Sequence, residues 1–229
     1  MKLFILAILL VFSINITAST QINLLPKYGG IKKNKEQEKV DREFIRVMEE
    51  KYKDLKVASS LVANSAWEFY EKNQDNEAMK RFNQAWLLDS NNITLIFGFQ
   101  LLSGKGNDSY ISVIDSMDNF YKQNLSNLNF INNLCFVLQS IKLRLEFNGI
   151  APKIDFHKKS DYYFSNIENS YNDKTELYLT WVRGLLLQGR YQDALDKLKL
   201  IKEEDLSSKQ KQLFQSYKIR AEFKAKDGK

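Results

Sequence analysis

One cysteine, one histidine and two prolines in 229 residues close off several ways of building or using a protein. Cys135 alone has no partner for an intramolecular disulfide, so helix packing must hold the fold. Its neighbours Leu134, Phe136, Val137 and Leu138 predict a buried, inert thiol. One Cys and one His fall short of the several ligands a zinc site needs, so no metal is expected. Any nucleophile–base pair would have to use His157, which stands in the polar segment KIDFHKKS and reads as a solvated loop histidine. Runs of alternating β-branched residues are also missing, which excludes strands and predicts an all-α chain.

Other routes to chemistry close as well. Glu49-Glu50 and Glu203-Glu204 are sequence neighbours, which on a helix point about 100° apart and cannot share a substrate. Gly104-Lys105-Gly106 lacks both the lead-in strand and the following Gly-Lys-Ser/Thr of a phosphate loop, and reads as a turn. No catalytic residue and no cofactor are expected. The formal charge of +6 is thinly spread, concentrated only at Lys32–Lys35 and in the tail Lys218–Lys229. Nucleic-acid binding calls for a dense basic face, so it is not expected either. The tail reads as solvation of the last helix.

The beginning of the chain is informative. Lys2 precedes an apolar run, Leu3–Ile14, and small polar residues around Thr17, Ala18 and Ser19 follow. This pattern describes a secretory signal peptide over residues 1–19. Twelve residues are too few for the roughly 20 that cross a bilayer, so no stable membrane span is expected after cleavage. An exported protein in the periplasm or medium follows. Residues 20–33 hold Pro26 and Gly29-Gly30 without helical periodicity and read as an extended leader, with Leu24, Leu25 and Tyr28 available for packing on the first helices.

Residues 34–229 read as one domain of helices joined by short Asn, Asp, Gly and Ser turns. A charged first helix, about Asn34–Lys56, carries the stripe Val40, Phe44, Ile45, Val47, Met48, Tyr52 and Leu55. Hairpins follow at Val57–Lys72 with Asp75–Leu88, and at Ile93–Leu102 with Asp108–Lys122. Leu128–Phe147 stops at Asn148-Gly149 with Pro152 beyond, and pairs with about Lys158–Tyr171. The last hairpin is Thr175–Gln188 with Tyr191–Glu203, and a final helix, Ser208–Ala225, presents Leu213, Phe214, Tyr217, Ile219 and Ala221 on one side.

The most telling stretch is SAWEFYEKNQDNEAMKRFNQAWLLDSNN, residues 65–92. Ala66 and Phe69 in one helix face Ala78, Phe82 and Ala85 in the next, small beside aromatic. This resembles the tetratricopeptide repeat (TPR), with Asn73 in the place of the turn glycine, Ser65 for Leu and Ser90 for Pro. Asn tolerates left-handed backbone, so Asn73 still suits the turn. GRYQDAL, from Gly189, is similar to a TPR turn, and Tyr178, Gly189 and Ala194 fit the motif. Val182 and Ile201 replace small residues there. Ala78 and Ala194 stand 116 residues apart, which is no multiple of 34. KRFNQAWLLDSNN and the leader LLPKYGG are also similar to those of small exported bacterial TPR proteins.

The resemblance implies a right-handed α-solenoid of three to four degenerate helical hairpins with a capping C-terminal helix, and a function in binding. First helices of such pairs line a concave groove, which makes Asn64, Trp67, Tyr70, Glu71 and Arg183 the candidate partner-binding residues. The alternative for Trp67 and Tyr70 is packing on the first helix. Carboxylate-clamping members of the family use Lys and Asn at set groove positions, and Ala63 and Trp67 occupy two of these here, so a peptide C-terminus is not the expected ligand. The expected role is a non-catalytic adaptor or scaffold for a protein or peptide in the cell envelope. An immunity or inhibitor protein blocking one toxin or enzyme is the alternative. N-terminal sequencing of exported protein should find a start beside Ala18 or Ser19; protein retained in membranes with Met1 intact would identify an anchor instead.

Overall fold

A computed structural model describes residues 22–104, 109–125 and 127–227. The expected signal peptide lies outside them, as do Lys105 and Gly106 of the glycine turn. The described residues form ten α-helices and no strand, so the chain is all-α. No helix among them is long and apolar enough to cross a membrane. The helices are α1 (Lys35–Tyr52), α2 (Leu55–Glu71), α3 (Asp75–Leu88), α4 (Ile93–Ser103), α5 (Ser109–Gln123), α6 (Leu128–Phe147), α7 (Phe156–Glu168), α8 (Lys174–Leu187), α9 (Tyr191–Leu198) and α10 (Ser208–Asp227). They divide into two compact units, one ending at Tyr110 and the other beginning at Ile111.

Local chemistry sets the boundaries. Asn34 caps α1 through a reciprocal pair: its Oδ1 accepts from Gln37 N at 2.9 Å, and Gln37 Oε1 accepts from Asn34 N at 2.9 Å. The sequence predicts one helix through Lys56, but α1 stops at Tyr52. Lys53 turns left-handed (φ 60°), and Asp54 then starts α2 by accepting from Lys56 N at 2.8 Å. Asn73 takes φ 57° between α2 and α3, as its turn role requires. α6 ends in a Schellman motif, with Ile150 N donating to Leu145 O and Gly149 N to Glu146 O while Gly149 adopts φ 65°.

In the first unit α2 packs on α3 through the small-and-aromatic pattern. Val62, Ala66, Ala78, Phe82 and Ala85 are all fully buried. Trp67 meets Phe82 edge-on at 5.1 Å, and Phe82 meets Phe99 of α4 at 6.0 Å. The Phe82 ring occupies the space where a side chain at Gly98 would stand: a Cβ there would lie 2.5 Å from Phe82 Cζ. A buried polar joint ties the same helices. Ser59 Oγ donates to Ala85 O at 2.9 Å and accepts from Asn92 Nδ2 at 3.1 Å, while Asn92 Oδ1 caps α4.

The leader is not extended. Pro26–Gly30 forms a tight turn in which Lys27, Tyr28 and Gly29 are successively left-handed. For Lys27 and Tyr28 that conformation costs about 1–2 kcal/mol each. Burial of Tyr28 offsets it, as does Asn83 of α3, whose Nδ2 donates to both Asn23 O and Leu25 O at 2.9 Å. Lys33 adds to the turn's anchorage, with its ammonium 3.2 Å from the Tyr28 ring centroid and paired with Asp41 of α1.

The second unit centres on α6, whose Ile131, Leu134, Val137, Leu138 and Ile141 are buried together with Tyr163 and Phe164 of α7. Phe164 stacks on Trp181 of α8 at 5.2 Å. α9 is shorter than predicted, ending at Leu198, because the chain folds back to bury both Ile201 and Leu206. Along α10 only Phe214 and Ala221 of the predicted stripe are buried; Leu213 and Ile219 face solvent. Gly98→Ala is expected to destabilise the protein by about 1–3 kcal/mol through overpacking against Phe82, measured by thermal or urea unfolding; a melt unchanged from wild type would contradict this packing.

Candidate partner-binding site

The residues that sequence reasoning assigned to partner binding separate by burial. Trp67 is fully buried and Tyr70 is 4% exposed. They are core residues, a correction to their groove assignment. Trp67 turns edge-on to Phe82 inside the α2–α3 pair and to Tyr70 at 5.5 Å, so neither ring presents area to a partner. Asn64 on α2 is exposed and Glu71 half-buried. Arg183, on α8 of the second unit, is exposed.

A cleft of about 430 Å³ lies elsewhere in the second unit, between α5, α7 and the segment leading into α7. Ile111 and Ile114 of α5 and Ile154 give it an apolar floor, and Tyr162 of α7 stands at its side with 45% of its surface exposed. Charges form the rim: Asp115 and Asp118 on α5, Asp155 at the N-cap of α7, and Lys158 and Lys159 on its first turn. Asp118 draws the two helices together, accepting from Lys159 Nζ at 2.6 Å and from the Tyr163 hydroxyl at 2.9 Å. Behind it Tyr121 donates to Tyr163 O at 2.9 Å, and the rings of Tyr121, Tyr162 and Tyr163 lie 4.7–5.9 Å apart. Burial, with the Asp118 charge beside it, raises the Tyr163 phenol well above its ordinary value, so the hydroxyl stays a donor.

Asp155 starts α7, its Oδ1 accepting from His157 N and Lys158 N at 3.0 Å. The backbone bond from Lys158 is the largest influence holding the carboxyl below its usual range. His157 therefore sits in the first turn of a helix and is half-buried, where the sequence predicted a solvated loop. Burial, then the nearby charges of Arg190 and Lys142, lower its pKa and favour the neutral ring. Neither His157 nor Cys135 lines the cleft.

Only part of this site shows in the sequence. Ile111, Ile114, Asp115 and Asp118 recur at helical spacing, and Lys158 and Tyr162 stand four apart on α7. That α5 and α7 face one another follows from tertiary packing and has no local signal. No group of three or more His, Cys, Asp or Glu among the described residues is arranged to hold a metal ion. The chain matches no protein-family model, no curated protein and no solved structure.

Cys135 is 2% exposed, its Sγ 4.0 Å from Ser160 O, and desolvation pushes the thiol up to about 12. The thiol is protonated in both folded and unfolded chains below its ordinary value of 9.0. Between there and about 12 only the unfolded thiol ionises, so this group's contribution to stability is complete below pH 9 and declines as pH rises through that window. A disulfide reagent at pH 8 should leave Cys135 unmodified until denaturant unfolds the chain; rapid labelling of the native protein would contradict its burial.

Proposed function

We propose that this chain is an exported, non-catalytic interaction module that holds a protein or peptide partner in the cell envelope. Its helical pairs are read as degenerate TPR-like hairpins of a right-handed α-solenoid, and the cleft beside Tyr162 is read as the partner site. The cleft carries this reading. Three isoleucines and an exposed tyrosine ring offer apolar contact area to one inserted side chain, and rim charges fix its orientation. Three acids and two lysines line it, and Lys159 is committed to Asp118, which leaves Asp115 exposed at the rim. The α2–α3 pair supports the repeat reading, since Ala66, Ala78, Phe82 and Ala85 of the motif are fully buried, while its Phe69 is half-buried. The apolar run after Lys2 supports export.

The test is capture of a stoichiometric partner from native envelope extract by the mature chain and by Tyr162→Ala/Asp115→Arg. Both side chains are on the surface, so the double variant should melt within a few degrees of wild type while capture falls by roughly tenfold or more. Capture that persists at full strength in the folded double variant would sink the cleft as the site. The partner's nature then separates adaptor from inhibitor.

A further inference from the structure

α10 carries a second face that packing does not use. Its inner side, with Phe214 and Ala221 buried, packs on α8 and α9. On the opposite side Ile219 and Phe223, one turn apart, are 64% and 62% exposed. At 3.6 residues per turn, Arg220 and Lys226 flank this pair on either side, and Lys209 and Lys211 stand two or more turns earlier on the same helix, with Glu222 the one described acid near the pair. All four basic residues are exposed, and none forms an ion pair among the described residues.

A comparison within the same unit sharpens the point. Leu143 and Phe147 of α6 also stand exposed one turn apart, but Lys142 beside them is neutralised by Glu146 at 2.5 Å. Among the described residues these two exposed pairs thus differ in their charged neighbours, an ion pair beside the α6 pair and the exposed cations Arg220 and Lys226 beside the α10 pair. A helix whose rings and aliphatic chains point outward, bordered by long basic stems, matches a planar surface that is apolar below and anionic above. The stems reach past the apolar pair to headgroup phosphates while Ile219 and Phe223 enter the acyl boundary. We infer that α10 lays this outward face on the surface of an anionic lipid bilayer, as a peripheral and reversible contact distinct from the cleft.

Co-sedimentation of the mature chain, residues 20–229, with vesicles of phosphatidylglycerol mixed with phosphatidylcholine tests this, with pure phosphatidylcholine vesicles as reference. Binding is expected on the anionic vesicles alone. It should weaken roughly tenfold or more in Ile219→Ser/Phe223→Ser, and strongly on raising salt from about 0.1 M to about 0.5 M. Because both side chains point to solvent, the variant should keep its circular dichroism and melting temperature. Leu143→Ser/Phe147→Ser should bind as wild type. Absence of binding by the folded protein, or binding that the Ile219/Phe223 variant retains in full, would overturn the inference. So would self-association in vesicle-free solution that the same variant abolishes, because the face would then belong to a second copy.

Discussion

The seating of Phe82 against Gly98 is the constraint on which the first unit depends. Its ring is fully buried, touched edge-on by Trp67 and Phe99, and fits because α4 presents no side chain at that point. With no disulfide to hold the helices together, such close fits carry the specificity of the fold. Dispersion and burial are non-directional, but a ring that fits only above a glycine fixes the rotation of α4 about its axis as well as its distance from α3. The Ser59–Asn92 joint then sets the position along that axis, because Asn92 is at once a hydrogen-bond donor to the core and the cap of α4. Packing and capping thus act on one helix in complementary ways.

The second unit reaches the same end with charge and aromatic groups. Asp118 joins α5 to α7, Arg190 reaches Asp161 at 2.8 Å, and Lys197 lies 3.6 Å from the Trp181 ring centroid while pairing with Glu168. These contacts are half-buried, and each satisfies a group that packing would otherwise strand. The cleft opens where this network meets the three isoleucines. Its polar groups hold the walls in place, and its apolar floor is left uncovered.

Turn positions were the most legible feature of the sequence. Asn73, Gly149 and Gly189 each adopt the positive φ that their turn roles require, and the hairpin Leu55–Glu71 with Asp75–Leu88 lies within two residues of its expected bounds. These are local decisions of backbone sterics, readable without knowledge of neighbours. Burial was legible only where the pattern was strongly one-sided, as at Ala66, Ala78, Phe82 and Cys135. Trp67 and Tyr70 were misplaced because helical periodicity tells which residues share a face but not what covers that face. The α10 stripe failed in the other direction, Ile219 being apolar yet outward. The leader failed because Lys27 and Tyr28 adopt a backbone conformation their own chemistry disfavours, imposed by distant contacts with Asn83.

Those contacts have a consequence for the order of folding. The carbonyls that Asn83 holds lie 60 and 58 residues before it in the chain. A polypeptide made from its N-terminus presents Asn23 and Leu25 long before their partner exists. The leader must therefore wait, solvated, until α3 has formed, although it comes first in the chain.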